Sequence, residues 1–229
     1  MEAKIPTGVK TVAIVALSRS GWGRWPGYVP MGADAVWCIN NAHASYHIKP
    51  DLIVAMDSLQ RDVKLHPQYV REITTAGVPV LSSVVSPKWP AVKLYPLNAV
   101  IKKIGLGQFA RHVLDNTVNY TIALAIAAGV KEIRLYGCDF GHGYEKKDLA
   151  MSLYAFKLDG YHNPPDWFKY YNRIIQPARA FGEPGGESQH FLLGIAHQRG
   201  IKIVLADDAT TLNNDRDRFF YGYQHQPRL

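Results

Sequence analysis

The sequence predicts a doubly wound α/β fold, in which a mostly parallel β-sheet lies between two layers of helices. Short runs of β-branched and aliphatic residues recur along the chain, and turn residues bound them as they bound buried strands. Helical patterns lie between several of these runs, and two helices lead directly into a strand. Strands that alternate with helices favour a parallel sheet, and one core can hold all 229 residues.

Six runs have the composition of buried parallel strands. All six are short, apolar and flanked by turn residues, and they cover residues 11–17, 35–40, 51–56, 78–85, 132–137 and 201–206.

Two helical patterns stand out between these runs. NTVNYTIALAIAAG, residues 116–129, has Asn116 in position to cap its start and Gly129 to end it. A second pattern, residues 186–200, has Ser188 as a candidate N-cap and a glycine as its stop. A predicted strand follows each helix, which completes a strand–helix–strand arrangement.

Two irregular segments interrupt the alternation. Residues 18–33 are rich in glycine, proline and tryptophan, and residues 141–186 contain HNPPDW and EPGG among many aromatic residues. Long irregular segments in compact domains are usually functional or mobile. We therefore expect a single domain over residues 1–229, with both segments as loop or lid insertions at the carboxyl edge of the sheet, where open α/β sheets bind ligands.

Composition restricts the partners and the compartment loosely. A formal charge of +7 and a pI near 9.3 favour polyanionic partners such as nucleotide phosphates or nucleic acid. The two cysteines form no Cys-x-x-Cys pair, which fits a reducing cytoplasm. The first residues lack the apolar core of a signal peptide, and no run reaches the roughly 18 apolar residues of a membrane span. We expect a cytoplasmic protein with no membrane partner, and the oligomeric state stays open.

Polar residues follow the first predicted strand in the stretch SRSG. Ser18, Ser20 and Gly21 are small enough for backbone amides to approach a phosphate, and Arg19 can add a charged hydrogen bond. The dinucleotide fingerprint Gly-x-Gly-x-x-Gly and the P-loop Gly-Lys-[Ser/Thr] are both absent from this stretch. The alternative is an exposed turn held by the neighbouring tryptophans.

Further candidates follow the second, third and fifth predicted strands. Asn40 and Asn41 carry amides that can bind a base or a ribose, although asparagines in turns are often structural. Asp57, Asp139 and His142 are the candidate catalytic residues, because carboxylates and histidines transfer protons or bind sugar hydroxyls. The alternative for Asp139 is a loop cap or an arginine partner.

The order of these motifs resembles a group of Rossmann-like proteins. VAIVALSRSG, VWCINNA, DLIVAMD and NTVNYTIALAIAAGVKEIRLYGCDF, within roughly residues 11–140, are similar to a domain-of-unknown-function group that includes archaeal 6-hydroxymethylpterin pyrophosphokinases. They also resemble bacterial sialyltransferases with a Rossmann-like nucleotide-sugar fold. The later helix and strand and the FFYGY ending resemble small phage-encoded relatives. The resemblance implies three layers, α/β/α.

The resemblance also implies a set of donor-binding residues. A Gly-Pro-Ser turn that holds phosphate in the group corresponds to the SRSG stretch, where this chain has Ser-Arg in place of Gly-Pro. The nucleotide-lining asparagine and helix start of the sialyltransferases correspond to Asn40 or Asn41 and to Asn116 and Thr117. The sialyltransferases use tyrosines and a histidine after the Gly-x-Asp strand, and because that region does not align with this chain, the residues named for these roles are candidates only: Tyr144, His142, His162 and His190.

Residues and resemblance together predict a nucleotide-sugar-dependent glycosyltransferase. Because the candidate site residues include no Asp-x-Asp pair, we expect the nucleotide sugar as co-substrate and no metal or other cofactor. The phage-like ending and the positive charge favour a hydroxymethylated base in phage DNA as acceptor, which would place the protein in the host cytoplasm. One alternative is a pyrophosphokinase that acts on a pterin-like alcohol with ATP and Mg²⁺. The other is a nucleotide or nucleic-acid binding module without catalysis.

Overall fold

A seven-stranded sheet forms the centre of the protein. The computed structural model describes residues 2–16, 32–56, 59, 63–64, 66–138 and 185–205. The strands are β1 (Thr11–Val15), β2 (Ala35–Ile39), β3 (Leu52–Ala55), β4 (Val80–Ser82), β5 (Val92–Leu94), β6 (Glu132–Tyr136) and β7 (Lys202–Leu205). The helices are α1 (Ala42–Ser45), α2 (Pro67–Thr74), α3 (Leu97–Ile104), α4 (Ala110–Val113), α5 (Thr117–Ala128) and α6 (Gly185–Gln198), with a 3₁₀ turn at Gly107–Phe109.

The strand order is β5-β4-β3-β2-β1-β6-β7, and every neighbouring pair is parallel. The chain builds the sheet outward from β1 to β5 and then crosses back, so that β6 pairs with the other side of β1. Val12 accordingly lies beside Ala35 of β2 and beside Ile133 of β6. The predicted doubly wound α/β class is confirmed, and each of the six predicted runs contains a strand.

Alternate residues of the strands face two helical layers. Ile14, Trp37 and Val54 lie on one face, in a core that includes residues of α3, α4, α5 and α6. Cys38 and Ile53 lie on the other face, in a core that includes residues of α1 and α2. The side chains of consecutive strand residues point to opposite faces, so this alternation separates the two cores. The expected three-layer α/β/α arrangement is confirmed.

Helix α5 begins and ends where the sequence predicts. Asn116 Oδ1 accepts a hydrogen bond from the Asn119 backbone N–H at 3.0 Å, and Gly129 ends the helix at φ 75°, a left-handed conformation that suits glycine. The prediction for the next helix was wrong at its start. Helix α6 begins at Gly185, so Ser188 is an internal residue and not the N-cap.

Most of both predicted insertions, residues 18–33 and 141–186, lies outside the described residues. The expectation of a single domain over residues 1–229 therefore stays a prediction. Among the helices that the structure describes, none combines the length and the apolar character needed to cross a bilayer.

Candidate functional site

The candidate site lies at the carboxyl ends of β1 and β6. These strands are neighbours, and a 2.8 Å hydrogen bond from the Ala16 N–H to the Tyr136 carbonyl holds their ends together. Beyond β1 the chain continues to β2 on one side, and beyond β6 it continues to β7 on the other. This reversal of direction is a topological switch point, and open α/β sheets bind ligands in the crevice that it creates.

The start of helix α5 lies at the same edge, because α5 runs back across the sheet to the beginning of β6. The N–H groups of Asn119 and Tyr120 are bonded to the Asn116 side chain and carbonyl. The N–H groups of Thr117 and Val118 have no acceptor within the described residues. Free amides and the positive end of the helix dipole favour an anion at this position.

A polar cluster joins the starts of α5 and α6, and we call Asp115, Asn116, Asn119 and Ser188 the switch-point cluster. Asp115 Oδ1 accepts hydrogen bonds from Asn116 Nδ2 at 2.6 Å and from Asn119 Nδ2 at 2.7 Å. Ser188 Oγ lies 2.9 Å from Asp115 Oδ2 and 2.9 Å from the His112 carbonyl oxygen. The cluster therefore connects residues that lie more than seventy positions apart in the sequence.

Asn119 is the most deeply buried member of this cluster, with 0% of its surface exposed. Its Oδ1 atom accepts no hydrogen bond from the part of the chain that the structure describes. Burial first, and then the negative charge of Asp115, raise the pKa of the nearby Tyr120. The charge of the Asp115 carboxylate therefore acts on a side chain in the first turn of α5.

Gln189 and Cys138 connect α6 to the end of β6. Gln189 is buried, and its Nε2 lies 3.5 Å from the Cys138 carbonyl oxygen. The buried Cys138 thiol contacts the Ile14 carbonyl oxygen at 3.7 Å. These contacts hold the start of α6 against the carboxyl end of β6, next to β1.

The two asparagines after β2 have different surroundings. Asn41 is buried, and its Nδ2 donates to Glu72 Oε2 on α2 at 3.2 Å, which ties it to the scaffold. Asn40 has a φ of 54°, a left-handed conformation that asparagine tolerates, and its buried Oδ1 has no partner among the described residues. Of the pair, Asn40 is the better placed to bind a ligand.

Among the other predicted site residues, Asn116 and Thr117 lie at the start of α5, at the carboxyl edge of the sheet. His190 belongs to α6, and the structure describes its backbone only. The remaining candidates lie outside the described residues and stay predictions: Ser18, Arg19, Ser20, Gly21, Asp57, Asp139, His142, Tyr144 and His162. The described residues contain no group of three or more His, Cys, Asp or Glu side chains arranged to hold a metal ion.

Sequence reasoning missed Asp115, Asn119, Ser188 and Gln189 as members of this site. One signal was available for Asn119, because α5 is apolar on nearly every side and a helix of that kind is buried. A polar residue in its first turn must therefore be buried and hydrogen-bonded. No comparable signal exists for Ser188 and Gln189, which reach the site through tertiary contacts.

Comparison with known proteins identifies the fold. No model of a known protein family matches the sequence, and no curated protein matches it. A solved structure of the sialyltransferase CstII from Campylobacter jejuni, in complex with the substrate analogue cytidine-5'-monophosphate, is 16% identical with a TM-score of 0.50, covering 89% of this chain and 83% of that chain. At this identity the likeness shows the fold, a Rossmann-like α/β sheet.

Two further sialyltransferase structures have lower scores. One, in complex with a trisaccharide acceptor and CMP, is 17% identical with a TM-score of 0.47, covering 90% of this chain and 84% of that chain. An alpha-2,3-sialyltransferase from Campylobacter jejuni in apo form is 15% identical with a TM-score of 0.45, covering 93% and 82%.

Proposed function

We propose that this protein is a nucleotide-sugar-dependent glycosyltransferase that binds its donor in the crevice between β1 and β6. One observation carries the proposal: the start of α5, where two backbone amides have no acceptor among the described residues, lies at the carboxyl edge of a Rossmann-like sheet whose strand order reverses between β1 and β6. Such a crevice suits a ligand with a phosphate and several hydroxyl groups, and a nucleotide sugar has both.

In this proposal, different described residues bind the phosphate and the nucleoside of the donor. The Thr117 and Val118 amides bind the phosphate, because the helix dipole and two donors without an acceptor among the described residues stabilise its charge during bond cleavage. Asn40 binds the base or the ribose through its side-chain amide. The helix amides stabilise the charge of the leaving phosphate, which a divalent ion stabilises in other glycosyltransferases, so the proposed reaction requires no metal.

Residues outside the described ranges complete the proposed site. Arg19, with Ser18, Ser20 and Gly21, follows β1 and adds positive charge at the phosphate. The base that deprotonates the acceptor hydroxyl is one of Asp57, Asp139 and His142, with Tyr144, His162 and His190 as further candidates.

The fold likeness supports this proposal, since one of the similar structures is a sialyltransferase in complex with CMP. A hydroxymethylated DNA base as acceptor, and a phage origin, find no support in the fold or in the comparisons, and they rest on the charge of +7 and the sequence resemblance alone.

Nucleotide release from donor sugars tests the proposal. The full chain is incubated with CMP-, UDP-, GDP- and ADP-sugars, with and without EDTA, and the released nucleotides are separated by chromatography. We expect release of one nucleotide, through slow hydrolysis without an acceptor, and equal rates in EDTA. AMP released from ATP only with Mg²⁺ would instead identify the pyrophosphokinase. Ligand-induced stabilisation without any release would identify a binding module.

An Asn40→Gly variant tests the site itself. Glycine accepts the left-handed φ of 54° without strain, so this change removes the amide and leaves the backbone conformation intact. We expect about tenfold weaker binding of the released nucleotide, in line with one lost hydrogen bond of about 1.5 kcal/mol. His47→Gly is the matched control, since exposed His47 has the same φ and lies beyond α1. Equal losses in both variants would contradict a role for Asn40.

A further inference from the structure

The outer sides of α3, α4 and α6 form one surface. Near the start of α6, Ser188 Oγ donates to the His112 carbonyl oxygen of α4 at 2.9 Å. Just past the end of α6, Arg199 Nη2 donates to the Lys103 and Ile104 carbonyl oxygens at the end of α3, at 3.2 and 3.0 Å. These contacts at both ends hold α6 antiparallel to the segment that joins α3 to α4. Together α3 and α6 pack on the buried helix α5.

Large apolar side chains are exposed on this surface. Phe109, in the 3₁₀ turn before α4, is 58% exposed, and Phe191 of α6 is 48% exposed. Each lies three residues, about one helical turn, from the contact between Ser188 and His112. Leu97 at the start of α3 is exposed as well, so this layer holds three of the five exposed large apolar side chains that the structure describes. Such grouping marks an interaction surface.

The same surface is basic. Residues 73–114, which include α3, the 3₁₀ turn and α4, contain no Asp or Glu, and Glu187 in the first turn of α6 is the only acidic residue in the three helices. Four exposed cations accompany the two phenylalanines, and we call the six residues the basic aromatic face: Lys102, Lys103, Phe109, Arg111, Phe191 and Arg199. A symmetric contact between two copies of this chain would bring like charges together here, so the charge favours an anionic partner.

A membrane surface with acidic phospholipids fits both properties of this face. Its phosphates attract Lys and Arg, and apolar side chains enter the boundary between headgroups and acyl chains. Single-stranded nucleic acid also offers phosphates, but its bases stack on aromatic rings, and the exposed Leu97 has no ring. The expectation of no membrane partner rests on the lack of a spanning segment, which peripheral binding does not require.

We infer that the basic aromatic face binds peripherally to membranes that contain anionic phospholipids. The four cations contact the headgroup phosphates, and Phe109 and Phe191 insert at the boundary with the acyl chains. This inference goes beyond the proposed function, because it concerns a surface of the helical layer and not the donor crevice.

Vesicle sedimentation of the full chain tests the inference. Vesicles of phosphatidylcholine alone are compared with vesicles that also contain phosphatidylglycerol, at low and at high salt. We expect binding to the anionic vesicles at low salt and its loss at high salt, because added ions screen the attraction. Binding to neither kind of vesicle, or equal binding to both, would overturn the inference.

Two variants assign the binding to this face. Lys102→Gln combined with Lys103→Gln should weaken binding to the anionic vesicles about thirtyfold, and Phe109→Ser should weaken it about tenfold. Lys64→Gln combined with Arg71→Gln is the matched control, because it removes the same charge at α2, which packs on the other face of the sheet. All five side chains are exposed, and circular dichroism checks that each variant is folded. Wild-type binding in both test variants, or an equal loss in the control, would overturn the inference.

Other occupants of the face give different results. A single-stranded oligonucleotide that binds with the same dependence on Lys102 and Lys103, without vesicle binding, would identify nucleic acid as the partner. A change of oligomeric state in Phe109→Ser, measured by analytical ultracentrifugation and again without vesicle binding, would identify a contact between copies of this chain. Either result would overturn the inference.

Discussion

Replacing the N-cap of helix α5 tests how the site is held. Asn116→Ala removes the 3.0 Å hydrogen bond to the Asn119 N–H and leaves that amide without an acceptor. Loss of such a cap costs about 1 kcal/mol, within a range of roughly 0.5 to 2 kcal/mol. The second bond of Asn116, to exposed Asp115, adds little because water competes for it. In a chain of this size about 1 kcal/mol lowers Tm by roughly 2 to 4 °C.

Asn116→Ser separates capping from the contact with Asp115. Serine keeps a capping oxygen but has no amide to donate to Asp115, so we expect a Tm within about 1 °C of the wild type. Urea unfolding and calorimetry of the three proteins measure these differences. A serine variant as unstable as the alanine variant would show that the contact with Asp115, and not capping, stabilises the helix start. Wild-type stability in the alanine variant would refute both parts of the argument.

Two further predictions concern the scaffold. Tyr95→Phe removes the 2.7 Å hydrogen bond from a buried hydroxyl to the Tyr120 carbonyl oxygen but keeps the edge-to-face ring pair, so unfolding experiments should show a loss of about 1 kcal/mol. An unchanged free energy of unfolding would mean that water bonds this hydroxyl in the unfolded chain as favourably as the Tyr120 carbonyl oxygen does in the folded protein. Asp34 Oδ2 accepts the Thr11 and Lys10 N–H groups, and these bonds hold the pKa of Asp34 below its ordinary value. The unfolded chain therefore takes up the proton first as pH falls, and the stabilisation is complete above the ordinary aspartate pKa of about 4 and is lost as pH falls through the lower folded pKa. Urea midpoints measured from pH 6 to pH 3 should fall less steeply in Asp34→Asn, and parallel curves would contradict this.

The sequence predicted the sheet well because its signals are local. Short β-branched runs predict buried strands, and the Asn116 cap and Gly129 stop predict α5, since both act through neighbouring residues. Strand β5 was missed because Val92–Leu94 has only three residues and one of them is lysine. Helix α2 was missed as well, although Pro67 at its first position is a typical helix start.

The site was less predictable because its members meet through the fold. The switch point requires the strand order, which places β6 beside β1 although over a hundred residues separate them. Ser188 was predicted as a cap from its sequence position, yet it contacts Asp115 and the His112 carbonyl because α6 begins earlier and packs against α5. The choice between Asn40 and Asn41 required tertiary information too, since only the fold brings Glu72 to Asn41.

The central claim is that the donor nucleotide binds at the switch point, and a crystal structure with the released nucleotide tests it most directly. The account predicts a phosphate within hydrogen-bond distance of the Thr117 and Val118 amides, with the nucleoside lying across the carboxyl ends of β1 and β2 near Asn40. A nucleotide bound at the amino edge of the sheet, or at the carboxyl edge without contact to the start of α5, would contradict it.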